Sequence, residues 1–130
     1  MNVLVVDTST WISFFRGSSV PTLELALKEG RAYLTVVVAA ELLSSFKPES
    51  KREDFIAFLR ELPLCDASLE HWVRVGNLRS SLAKRGFAVS TPDAHVAQSA
   101  IDLECYLLSE DKIFAKFKEI TGLKLATKSE

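Results

Sequence analysis

Four carboxylates of this chain stand in unusual settings. Asp7 ends the apolar run Val3-Leu4-Val5-Val6 and precedes Thr8-Ser9-Thr10. Glu41 lies inside Val36-Val37-Val38-Ala39-Ala40-Glu41-Leu42-Leu43. Asp93 follows Thr91-Pro92, and its helical neighbours at plus three, four and seven are Val96, Ala97 and Ala100. Asp111 follows Tyr106-Leu107-Leu108-Ser109-Glu110. Brought together, four such groups repel one another unless something positive neutralises them. Hard oxygen ligands without His or Cys favour Mg²⁺ or Mn²⁺ over zinc. A site of that kind suits metal-assisted attack of water on a phosphodiester. Singly, each acid has a plainer reading. Asp7 and Asp111 can cap helices, and Asp93 can be a first-turn acid favoured by the helix dipole. Glu41 shares its side of a helix with Ser44 and Ser45, as on a solvated face.

The elements that must position these groups alternate between strand and helix. Val3–Val6 is too short for a helix and apolar throughout, which suits a strand covered on both faces in a parallel sheet. Asp7 then marks the carboxyl edge of that strand, the edge where open α/β sheets hold ligands. A first helix follows. A second is expected over Pro21–Glu29, with Leu23, Ala26 and Leu27 on one stripe and Gly30 as the stop. Ala32–Thr35 reads as a strand and Val36–Phe46 as a helix. Ser50 and Glu53 form a capping box opening Lys51–Leu62, with Phe55, Phe58, Leu59 and Leu62 on one face. Leu64-Cys65 is a brief strand. Ser68 caps a helix to Arg85 with Trp72, Val75, Leu78 and Leu82 inward. Thr91-Pro92-Asp93 opens a helix to about Glu104. Cys105–Leu108 is a strand, Lys112–Thr121 a helix and Leu123–Ala126 a last strand with Lys124 turned away, as at a sheet edge. The tail 127–130 is expected to fray. The class is α/β with a mostly parallel sheet.

The totals bound the function. The chain's 130 residues suit one domain with a real core. A net charge of -1 gives no global signal for nucleic-acid binding, although a local basic rim can coexist with an acidic pocket. No apolar run reaches the roughly 18 residues of a membrane span, and the N-terminus enters a strand directly, so a cytoplasmic location is expected. Cys65 and Cys105 read as buried free thiols. His71 and His95 stand alone in sequence and give no zinc spacing. A receiver-type phosphotransfer fold would need a phosphoacceptor such as Asp66 and a lysine sooner after the last strand than Lys128.

Val-Val-Asp7-Thr-Ser-x-Trp-Ile, Ala-Ala-Glu41-Leu-Leu, Pro-Asp93-Ala-x-x-Ala and Leu-Leu-Ser109-x-Asp111, in this order, resemble the PIN-domain ribonucleases. The resemblance spans essentially the whole chain and is closest to the toxins of VapBC toxin–antitoxin pairs. It implies one PIN-like domain over residues 1–130, a three-layer α/β/α sandwich with five strands in the order 3-2-1-4-5. It also implies a Mg²⁺- or Mn²⁺-dependent endoribonuclease, with an RNA substrate, a cognate antitoxin and a homodimeric state. Carried over, Asp7 and Asp93 are direct metal ligands, Glu41 and Asp111 act through coordinated water, and Ser9 and Ser109 are supporting hydroxyls. Where the family often has a further polar or acidic residue, this chain has Ile113. Arg16, Lys84, Arg85, Lys112 and Lys116 are candidate rim cations, with Lys112 and Lys116 one helical turn apart as the favoured phosphate pair. Two other functions remain open: a PIN nuclease of RNA processing without an antitoxin, and a catalytically idle protein-binding module.

Overall fold

The computed structural model describes residues 2–45 and 51–129. Four strands form one parallel sheet among these residues: β1 (Leu4–Val6), β2 (Ala32–Tyr33), β3 (Tyr106–Leu108) and β4 (Lys124–Leu125), in the order β2-β1-β3-β4. β1 is central. Leu4 pairs with Ala32 on one side and with Tyr106 on the other, and Val6 pairs with Leu108. Val5 and Val6 are fully buried, as an unbroken apolar run in a doubly covered strand requires.

The strand expected at Leu64-Cys65 is present only as a single parallel bridge, Leu34 to Leu64. Leu34 N–H donates to Pro63 O at 2.9 Å, and Cys65 N–H donates to Leu34 O at 2.8 Å. The bridge lies beside β2, at the place the order 3-2-1-4-5 gives it. Pro63 has no N–H to extend the pairing.

Seven helices flank the sheet among the described residues: α1 (Thr8–Phe15), α2 (Pro21–Lys28), α3 (Val36–Ser45), α4 (Arg52–Arg60), α5 (Leu69–Lys84), α6 (Thr91–Asp102) and α7 (Ile113–Thr121). The core runs through the sheet and joins the buried Trp11, Leu23, Val38, Phe55, Leu82, Val96, Phe114 and Phe117. Trp11 stacks on Phe15 and meets Phe14 and Phe58 edge-on, tying α1 to α4. Ser68 caps α5 by accepting from His71 N–H, as its sequence position suggests. α6 opens at Thr91, as Thr91-Pro92-Asp93 implies, and Ser90 is its cap, accepting from Asp93 N–H at 3.2 Å. Ser50 of the expected capping box and Phe46 lie outside the described residues. Gly122 ends α7 in the left-handed region (φ +78°), where a side chain would be strained.

Cys65 and Cys105 are buried free thiols. Burial pushes them up to about 12 and about 11, so both stay protonated. In the tail, Thr22 N–H donates to Lys128 O at 2.9 Å, and Lys128 Nζ pairs with Glu110 at 3.0 Å.

Candidate active site at the carboxyl edge of the sheet

β1 and β3 end side by side, so the residues that follow them arrive together. Asp7 N–H donates to Leu108 O at 2.9 Å, and the Asp7 side chain emerges at the N-cap position of α1. It makes no side-chain cap hydrogen bond there, so capping does not account for it. Its Oδ2 accepts from Ser109 Oγ at 2.8 Å and from Ser9 Oγ at 3.2 Å. Both serines are tied down in turn: Asp111 N–H donates to Ser109 Oγ at 3.0 Å, and Glu110 N–H to Ser9 Oγ at 2.9 Å. The two strand ends are thus laced by hydroxyls that converge on one carboxylate.

Asp7, Thr8, Ser9, Ile12, Glu41, Ser44, Ser45, Asp93 and Asp111 line one open cleft of about 480 Å³. All four acids singled out in the sequence meet there, from β1, α3, α6 and the loop after β3. Ser44 and Ser45, which share Glu41's side of α3, face the same cleft. The polar side of α3 is therefore a wall of the site. Among the described residues, no Lys or Arg lines the cleft.

Electrostatics follow from the crowding. Burial raises the Asp7 carboxyl above the ordinary carboxylate value; its serine hydrogen bonds oppose that rise and the Asp93 charge adds to it. Asp93 is likewise raised, by burial first, with the Ser90 hydroxyl opposing and the charges of Asp111 and Glu41 adding. Desolvation and mutual repulsion thus act on the same cluster.

Thr8 has a role that the sequence did not single out. Its Oγ1 donates to Glu41 Oε1 at 2.6 Å, joining α1 to α3 across 33 positions. Lying between an acid and a serine in a run of three hydroxyls, it carried no distinguishing signal. Asp111 has a mixed role. Its Oδ1 accepts from Ile113 N–H at 3.0 Å, so one oxygen serves the start of α7 while the carboxylate still lines the cleft.

The candidate cations are placed elsewhere. Lys112 is the exposed N-cap residue of α7, and Arg16 the exposed residue that ends α1. Lys116 holds its ammonium 5.6 Å over the Phe87 ring. Lys84 and Arg85 are exposed at the end of α5.

His71 and His95, alone in sequence, meet across α5 and α6. His71 Nε2 and His95 Nδ1 are 2.6 Å apart, and His71 Nδ1 is 2.9 Å from Asp102 Oδ2. Arg74 and Gln98 also bond Asp102, and Trp72 stacks on His95. This network fastens the helix that carries Asp93 to its neighbour.

The metal-ligating atoms of the cleft side chains, among the described residues, are carboxylate and hydroxyl oxygens, a set suited to a hard divalent cation. Among the described residues, no three carboxylate, imidazole or thiol side chains stand close enough to hold an ion jointly as they are.

Comparison with known proteins bears on the fold and family. The sequence finds no match among curated proteins. Among solved structures, the chain is similar to VapBC2 from Rickettsia felis, bound to a DNA fragment from its promoter, with 24% identity, a TM-score of 0.76 and coverage of 95% of this chain and 97% of that one. It is similar to DNA-bound VapBC from Salmonella typhimurium, with 21% identity, a TM-score of 0.77 and coverage of 97% and 98%. VapBC-5 from Mycobacterium tuberculosis, of the VapBC family of toxin–antitoxin systems, gives 21% identity, a TM-score of 0.68 and coverage of 98% and 99%. The family model described as the PIN domain matches residues 4–120, nearly all of the elements that build the cleft, and the chain belongs to the PIN domain family.

Proposed function

We propose that this chain is a divalent-metal-dependent endoribonuclease and the toxin of a toxin–antitoxin pair. The observation that carries the nuclease reading is the composition of the cleft wall: four carboxylates converge, and among the described residues no cationic side chain lines the space they share. Phosphate oxygens only accept hydrogen bonds and are themselves negative. They approach such a wall only through a cation. The likeness to VapBC structures supports the toxin reading and makes a cognate antitoxin the expected partner.

Asp7 and Asp93 are the residues to hold Mg²⁺ or Mn²⁺ directly, with Glu41 and Asp111 reached through water. A bound divalent ion supplies an acidified water at neutral pH and neutralises phosphate charge. Ser9 and Ser109 fix the Asp7 carboxylate by donating to Oδ2. Thr8 fixes Glu41 through Oε1, leaving Oε2 to orient a water. Lys112, Lys116 and Arg16 stand outside the cleft, where they can steer the flanking strand. Attack by water needs no 2′-hydroxyl nucleophile, so the products carry 5′-phosphate and 3′-hydroxyl ends.

The test is cleavage of an RNA pool by the purified chain. Activity is expected to vanish with EDTA and to return with Mg²⁺ or Mn²⁺. Undiminished cleavage in EDTA contradicts the mechanism.

A further inference from the structure

The hydroxyls of the cleft wall have their protons already committed. Thr8 Oγ1 gives its proton to Glu41, and Ser9 Oγ gives its own to Asp7. On α3, Ser44 Oγ donates to Ala40 O at 2.8 Å and Ser45 Oγ donates to Glu41 O at 3.0 Å. A serine hydroxyl has one proton and two lone pairs. With the proton turned back to the preceding turn, Ser44 and Ser45 offer the cleft acceptors. The other described lining residues are carboxylates and one isoleucine, so the polar side chains of the described wall accept hydrogen bonds.

That decides what Ser44 and Ser45 can recognise. They are poor partners for phosphate oxygens, which have no proton to give. They suit a substrate group that donates. Both lie about one helical turn from Glu41, roughly 5–6 Å between Cβ atoms. With the scissile phosphate at the acids, the group at that remove is the adjoining sugar. A ribose carries a 2′-hydroxyl that can donate, and a deoxyribose has no donor at that carbon.

We propose that Ser44 and Ser45 read the 2′-hydroxyl of the ribose adjoining the scissile phosphate, and so set the preference for RNA over DNA. The inference rests on the nuclease reading above and names the feature of the substrate that the cleft selects. Both serines are exposed on a helix, and alanine is the better helix former, so replacing them leaves the fold intact.

The experiment compares wild type with the Ser44→Ala/Ser45→Ala double variant. The first arm measures binding, in Ca²⁺, of a single-stranded oligoribonucleotide and of the same sequence with 2′-deoxyribose throughout. Wild type is expected to favour the ribose strand by about five- to tenfold, the worth of one or two net hydrogen bonds, and the variant to lose most of that ratio. The second arm repeats the comparison as cleavage in Mn²⁺. A variant that keeps the wild-type ribose-to-deoxyribose ratio overturns the proposal, as does a wild type with no preference. A variant whose thermal stabilisation by Mn²⁺ falls would assign the serines to a metal-bound water and overturn it too. Failure of the nuclease reading is distinct: neither protein then cleaves either strand, while the binding ratio still decides the role of the serines.

Discussion

Asp7 and Thr8 are adjacent, yet only one of them is conspicuous in the sequence. An acid at the end of an apolar run invites a reason, whereas a threonine among hydroxyls does not. The structure gives Thr8 a specific task, holding Glu41 at 2.6 Å from a neighbouring helix. Thr8→Val keeps the branched shape and removes the donor. Cleavage is expected to fall about tenfold, since hydrogen bonds to charged groups contribute about 1.5–3 kcal/mol and this one is partly exposed. Thr8→Ser should restore most of the rate. Wild-type cleavage by Thr8→Val would show that Glu41 needs no such restraint.

At the scale of elements, the acids were legible because each sat at a recognisable place: the end of a buried strand for Asp7 and Asp111, the inward face of a first turn for Asp93. Glu41 was harder. Its solvated-face neighbours, Ser44 and Ser45, are exposed as expected, but the solvent they face is that of the cleft. The His71–His95 contact was not legible, because nothing in two isolated histidines 24 positions apart says that α5 and α6 will cross there. The apolar pair Leu64-Cys65 suggests a strand, but Pro63 lacks an N–H and the pairing there is a single bridge.

The helix pair has its own pH signature. Burial, then the neighbouring His71, lowers His95 from 6.5 to about 4, so it is neutral in the fold. The unfolded chain takes up that proton at a higher pH. The contribution is therefore whole above 6.5 and is lost as pH falls from 6.5 towards about 4. Asp7 and Asp93, both raised, contribute in the opposite sense: their share is present at low pH and is lost as pH rises through their folded values. Melting temperature followed from about pH 7 to about pH 5 should fall for wild type and fall less steeply for His95→Gln. Equal slopes would remove His95 as the cause. On α7, Lys112 and Lys116 offer a separate test. Replacing both with Ala should flatten the salt dependence of RNA binding by up to about one log–log unit per lost phosphate contact. An unchanged slope would assign both to solvation.

For the molecule as a whole, a parallel sheet carries four carboxylates to one edge and holds them against their own repulsion. None of the described helices is long and apolar enough to cross a membrane. The central claim is that these acids form a metal site, and Asp93→Asn tests it most directly. Asn nearly matches Asp in shape and in its preference for helix starts, and Ser90 still caps α6, so the fold should survive. Without metal the variant loses one charge from a crowded cluster, and its melting temperature should hold or rise. With Mn²⁺ the wild type should gain stability as RT ln(1 + [L]/Kd), because the ion binds only the folded chain. Melting temperature with and without Mn²⁺, beside RNA cleavage by the same samples, is the measurement. The account predicts a metal-dependent rise and cleavage for wild type, and the loss of both in Asp93→Asn. An Asp93→Asn protein that is stabilised by Mn²⁺ and cleaves RNA as wild type does would contradict it.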